Sequence, residues 1–137
     1  MPALPGSRVP PDPGVLPDVV ASSSLSKRVT QDDMTGYSGP GNIHSDLDVA
    51  RRTGLDVTIA QGMMTLAYAS ELMTRVCGRA WLERGEISVK FTRPVCAGDT
   101  VTVRAAERGG SFEIEASNQR GDIVMVGEAR VAKPGKR

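Results

Sequence analysis

The chain has 137 residues, of which 17 are basic and 16 acidic, for a formal charge of +1. Its length fits one domain with a real core, and the charge balance offers no long-range attraction for nucleic acid, an anionic membrane or a polyacidic partner. No apolar run reaches the roughly 18 residues of a membrane span, and the N-terminus lacks a basic-then-apolar leader, so the expected location is the cytoplasm. The two cysteines, Cys77 and Cys96, match no metal-ligand or redox spacing. They are expected to pack as small apolar residues, and no metal is expected.

Residues 1–23 hold six of the nine prolines and almost no periodic apolar signal, and they read as a flexible arm. A single domain is expected over 24–132, followed by a basic tail over 133–137. Leu25 to Val29 suits an extended piece, after which Thr30, Asp32 and Asp33 start a short helix reaching Tyr37. Residues 38–42, Ser-Gly-Pro-Gly-Asn, form a loop. Asp46 caps a second short helix over Leu47–Thr53, closed by Gly54.

The strongest pattern is the stretch from Gln61 to Gly78, rich in helix formers and ended by glycine. It is apolar on nearly every side. Charge enters only at Glu71 and Arg75, four apart and able to pair on one exposed strip. Such a helix is expected to be enclosed. The wrapper follows: Ile87, Val89 and Phe91 alternate, as do Val101, Val103 and Ala105, then Phe112, Ile114 and Ala116. A last strand over Asp122–Ala132 carries Ile123-Val124-Met125-Val126 and is expected to be central and buried on both faces. Turns are expected at Arg108-Gly109-Gly110 and Gln119-Arg120-Gly121. The sum is an α+β domain, an antiparallel sheet of about five strands wrapped around one long central helix, its strands joined by tight turns.

The chemistry-bearing residues gather before that helix. Gly62 opens it, which puts unpaired backbone N–H donors at the positive end of the helix dipole, suited to a carbonyl oxygen gaining negative charge. A glycine there also lets a ligand come close. His44, the only histidine, stands eighteen residues earlier, and Ser70 eight residues later. Histidine is the side chain suited to general acid–base work near neutral pH. A lone histidine is otherwise more often held structurally by a backbone group, and Ser70 divides evenly between a site role and a small residue that lets the sheet approach. For Met63 and Met64 core filling is the bland reading, and an adaptable acyl tunnel the functional one. Lys90, Arg93 and Arg104, placed on strands, suit a solvated face better than phosphate binding.

Asn42-Ile43-His44-Ser45-Asp46, Ile59-Ala60-Gln61-Gly62-Met63-Met64 and Phe91-Thr92-Arg93-Pro94-Val95 with Gly98-Asp99-Thr100-Val101 together resemble the MaoC-like, (R)-specific enoyl-CoA hydratase family. The resemblance runs from about Val29 to Val131. It implies a hot-dog fold, a homodimer or a heterodimer with another hot-dog protein in which two sheets continue into one, and a tunnel at the interface. It also implies a hydro-lyase acting on an enoyl or 3-hydroxyacyl thioester. Coenzyme A or phosphopantetheine would enter as part of the substrate, with no separate cofactor.

Carried over by position, His44 matches the family's catalytic histidine, Gly62 the glycine whose amide polarises the thioester carbonyl, and Ser70 the serine near water and substrate. Gln61 stands where many relatives have histidine, and with Met63 and Met64 it is a candidate for substrate binding. The family loop usually runs serine, glycine, aspartate, any residue, asparagine, proline, any residue, histidine. Here Ser38-Gly39-Pro40-Gly41-Asn42-Ile43-His44 is shorter and lacks the aspartate. Asn42 survives as the motif's asparagine, able to hold a water by its amide, but an amide does not exchange protons readily. Asp46 and Asp48 suit helix capping better than substitution. The missing acid leaves two alternatives: a non-catalytic partner subunit, or a thioesterase relying on Glu71, the helix's one carboxylate.

Overall fold

The computed structural model describes residues 19–134, and side chains from residue 22 onward. Most of the expected arm therefore lies outside the described residues, as do the last three residues of the expected basic tail. The elements run β1 (Val19–Arg28), α1 (Gln31–Ser38), α2 (Leu47–Arg52), α3 (Gly62–Cys77), α4 (Arg79–Arg84), β2 (Gly85–Phe91), β3 (Thr100–Arg108), β4 (Ser111–Ser117) and β5 (Ile123–Val131).

The arm's expected end at 23 is too late, because β1 already pairs with β3 from Val19. Its central run Ser22-Ser23-Ser24 gives no apolar signal, yet an edge strand needs only backbone partners and can leave its outer side chains in water. Thr30 caps α1 through its hydroxyl, which accepts from the Asp33 N–H at 3.1 Å. Asp46 caps α2 by accepting from the Asp48 and Val49 N–H groups. Both helices start where the capping residues place them.

All five strands are antiparallel in the order β1-β3-β4-β5-β2. Gly109 and Gly110, both with positive φ (60° and 88°), make the two-residue turn that matches strand twist between β3 and β4. The expectation of tight turns throughout holds only for β3–β4–β5. After Phe91 the chain leaves β2 at one edge and enters β3 beside β1 through residues 92–99, a stretch in which Pro94 and irregular side chains offer no hairpin chemistry.

Register turns alternation into a core. Leu25, Val103, Ala116, Met125 and Phe91 stand opposite one another across five strands, forming one row on the helix-facing side. Helix α3 lies mainly across β1 and β3. Its Met64, Ala69, Leu72 and Met73 are buried in the same cluster as Leu25, Val103, Ala116 and Met125 of that row. Enclosure is only partial, however: Met63 is 51% exposed and Val76 39%. One sheet and three short helices do not surround this helix. For the same reason β5 is buried on both faces only at Val124 and Met125, while Glu128 and Arg130 face water.

Helix α4 had no apolar period long enough to announce it. It follows directly on Gly78 and buries Trp81. Gly127 on β5 stands against β2, and a Cβ there would meet the Ser88 carbonyl oxygen and the Val89 side chain. Gly127→Ala is therefore expected to destabilise the fold by about 1–3 kcal/mol through overpacking. A denaturant midpoint equal to that of the unaltered protein would contradict this close approach.

Candidate active site

Residues 58–60 form an extended segment whose backbone groups point alternately to two sides. On one side the Ala60 N–H donates to the Val95 carbonyl at 2.7 Å, and the Ala97 N–H to the Thr58 carbonyl at 3.3 Å. On the other side the Ile59 N–H donates to the Ile43 carbonyl at 3.3 Å. The Ile59 carbonyl then lies 2.7 Å from His44 Nδ1. A carbonyl oxygen only accepts, so Nδ1 carries the hydrogen and Nε2 is left as the basic nitrogen of the neutral ring. His44 is half-buried. The expected structural use of a histidine, a bond to backbone, is thus present at one nitrogen and leaves the other available.

The loop before it is built on Asn42. Its amide nitrogen donates to the Ser38 and Gly39 carbonyls at 3.1 and 3.3 Å, satisfying the end of α1. Its Oδ1 accepts from the His44 N–H at 2.8 Å and from the Ser45 hydroxyl at 3.4 Å. With both amide hydrogens and the oxygen engaged, Asn42 shapes the loop rather than offering a free amide to a water.

Three residues beyond Ile59 the chain enters α3 at Gly62, so the anchor of the histidine and the helix entry are at most about 11 Å apart along the chain. The Gly62 and Met63 N–H groups have no hydrogen-bond partner among the described residues, and Gln61, the N-cap, provides no side-chain cap. A cavity of about 330 Å³ opens here, lined by Ile59, Gly62 and Thr65 on one side and Phe91, Arg93 and Val95 among those on the other. The Phe91 ring lies over Gly62, 3.0 Å from where a Cβ would stand. A side chain at this position would press on the ring, so the close approach that the sequence suggested for a ligand is made here by Phe91. Phe91 itself is 46% exposed.

Ser70 is not brought to this cavity. Two turns along α3, its hydroxyl accepts from the Trp81 indole N–H at 3.0 Å, which ties α4 to the helix. Met63 points outward. Met64 is buried and instead lines a second, open groove of about 370 Å³ between α1 and α3, with Asp32, Asp33, Tyr37 and Tyr68. Arg93 is on the loop after β2, not on a strand, and reaches the cavity wall. Lys90 and Arg104 are exposed strand residues, as the solvated-face reading expects.

A profile of the MaoC like domain matches residues 17–127. An (R)-specific enoyl-CoA hydratase of Rhodospirillum rubrum is 30% identical over 126 residues, 84% of this chain and 87% of that protein. The chain belongs to the MaoC-like family. Two solved structures share its fold. An R-hydratase from Pseudomonas aeruginosa superposes with a TM-score of 0.70 at 25% identity, covering 87% of this chain and 83% of that one. An (R)-hydratase from A. caviae, described as involved in PHA biosynthesis, gives 0.72 at 20% identity, covering 86% and 99%. The fold is the hot-dog fold expected from the resemblance, and the enzyme class of these named relatives is hydro-lyase.

Within this MaoC-like chain no carboxylate replaces the missing aspartate by a hydrogen bond to the histidine among the described residues. Asp46 caps α2. Both oxygens of Glu71 are taken, by Lys27 at 2.9 Å and Arg75 at 2.8 Å. The hydrogen bond from Lys27 leads in holding that carboxyl below its usual range. Glu71, the carboxylate on which the thioesterase alternative relies, is thus held in surface ion pairs. Burial pushes the Cys77 and Cys96 thiols up, as for packing residues. Sequence reasoning missed Ile59, whose contribution is a backbone oxygen, and the Ser70–Trp81 bond. Ser70→Ala is expected to cost about 1–3 kcal/mol by leaving the buried indole N–H unpaired, and Trp81→Phe to remove most of that cost. Thermal melting followed by circular dichroism reports the change in each variant. If Ser70→Ala melts like the unaltered protein, the bond carries no weight.

Proposed function

We propose that this MaoC-like protein adds water to, or removes it from, the β-carbon of an enoyl or 3-hydroxyacyl thioester carried on coenzyme A or a carrier protein. The observation that carries the reading is the 2.7 Å contact from His44 Nδ1 to the Ile59 carbonyl, which fixes the tautomer and frees Nε2 as the base. The kinship with an (R)-specific enoyl-CoA hydratase supplies the substrate class.

In hydration His44 Nε2 takes a proton from water as the oxygen attacks the β-carbon. The double-bond electrons move through the conjugated system onto the thioester oxygen. The unpartnered Gly62 N–H, at the positive end of a sixteen-residue helix, stabilises the charge forming there. The imidazolium then returns its proton to the α-carbon, closing the balance: one water added, nothing left on the enzyme. Both transfers pass through one nitrogen, so the water's oxygen and hydrogen enter on the same face. This single-base cycle needs no aspartate, and Asn42 serves it by holding the His44 N–H. Of the candidate substrate-binding residues, Gln61 adjoins the helix entry, while Met63 points outward and Met64 faces the groove between α1 and α3, so the path of the acyl thioester along the cavity at Gly62 does not run over either methionine. Ser70 acts through Trp81 on the seating of α3.

The active unit is a homodimer formed along β2. That strand is a sheet edge, and its row of backbone groups opposite β5 is open to a second strand. Phe91, exposed at the strand's end, lines the cavity at Gly62, where a second copy would cover it.

With crotonyl-CoA the absorbance of the conjugated thioester should fall on adding the protein, and His44→Ala should lower kcat/KM by about 10² to 10⁴. Absence of turnover on enoyl thioesters of every chain length tested would refute the assignment. Sedimentation equilibrium should give twice the 14.5 kDa chain mass. A monomer inactive alone but active when mixed with another hot-dog chain would replace the homodimer by a heterodimer.

A further inference from the structure

Gln31, the first residue of α1, makes hydrogen bonds that capping of its own helix does not require. Its Nε2 donates to the His44 carbonyl oxygen at 2.9 Å and to the Thr35 hydroxyl at 3.2 Å. Its Oε1 accepts from the Thr58 hydroxyl at 2.6 Å. Thr58 is only 4% exposed and directly precedes Ile59, whose carbonyl receives the His44 ring. The contacts to His44 and Thr58 join segments 13 and 27 residues away in sequence.

We propose that Gln31 is a positioning residue for His44. One amide spans the His44–Ile59 hydrogen bond from behind, its nitrogen on the main chain of the histidine and its oxygen on the residue next to the accepting carbonyl. Held at both ends, the two sides of the bond cannot part, and the ring keeps Nδ1 protonated and Nε2 free. The chemistry selects glutamine. The task needs a donor and an acceptor on one planar group, which an ionised glutamate or a lysine cannot supply, and a neutral group leaves the charge balance of the imidazole untouched. Glutamine also has the reach to cross from a helix N-terminus to a neighbouring loop.

The inference rests on the reading of His44 as the acid–base group, and its test separates the two. His44 is the only histidine in the chain, so the imidazole ¹⁵N spectrum reports on this ring alone. In the full-length protein near pH 8 the spectrum should show the Nδ1–H tautomer. In Gln31→Met, which keeps the length and loses both hydrogen-bonding ends, the signals should move toward the tautomer mixture of a free imidazole. The same variant should lose about tenfold in kcat on crotonyl-CoA, the scale of one well-placed hydrogen bond, with KM changed less than about twofold. Thr58→Val should act in the same direction, Thr58→Ser should restore the signal and the rate, and the double variant Gln31→Met with Thr58→Val should fall short of additivity. An unchanged ¹⁵N spectrum in Gln31→Met overturns the proposal, whether kcat is unchanged or falls together with the melting temperature. If the unaltered protein turns over no enoyl thioester, the functional reading fails while the spectrum still decides whether Gln31 sets the ring.

Discussion

The hydrogen bond on which the site depends joins a ring nitrogen to a backbone oxygen. Since the Ile59 carbonyl can only accept, its approach to His44 determines which nitrogen is protonated, which way the ring faces and which lone pair remains. The direction of that carbonyl is in turn fixed by alternation. Ala60 and Thr58 are bound to Val95 and Ala97 on one side, so the groups of Ile59 must face the other, toward Ile43 and His44. A segment of three residues thus transmits the order of the sheet's connecting loop to the histidine. The same connection is held from below by Asp99, buried beneath the turn, which accepts from the Cys96 N–H at 2.9 Å and from Gln119 at 2.9 Å. The Gly98-Asp99-Thr100 stretch earns its place as the footing of that chain of bonds.

Loop and helix entry are therefore two ends of one construction. Asn42 closes α1 and holds the His44 N–H, and Ile59 holds the ring. Three residues later α3 begins with amides that nothing among the described residues satisfies. Gly62 lines the cavity and Met63 is half exposed, so these donors face open space rather than solid packing. That is how a site differs from a core.

Much of the fold was legible because its signals are local. Apolar alternation marked β2, β3 and β4, paired glycines marked the β3–β4 turn, and Thr30 and Asp46 marked two helix starts. What was not legible depends on tertiary partners. The serine run of β1 has no period of its own and takes its conformation from β3. Apolar residues on every side of α3 announced burial, but one chain has too little material to supply it, and Met63 and Val76 stay exposed. In the site, His44 and Gly62 stood out by residue type and spacing. Ile59 and Gln31 did not, because a carbonyl belongs to every residue and a glutamine at a helix start looks like surface. Ser70 was legible as a position and not as a contact, since nothing local tells that Trp81 turns back onto it.

The shortened loop has a consistent physical meaning. An aspartate beside an imidazole favours the charged ring and offers a second place for a proton. Asn42 in this chain keeps the geometric part of such a loop, bonding the His44 N–H and the end of α1, without adding charge. With Nδ1 engaged by the Ile59 carbonyl, Nε2 is the ring nitrogen left free. Addition and elimination of water are reactions in which one proton leaves oxygen and one arrives at carbon, and a single nitrogen that gives back what it takes meets that stoichiometry. In the proposed reaction the missing acid narrows the route of the proton to one nitrogen, and the demand for order then falls on the bonds that hold His44.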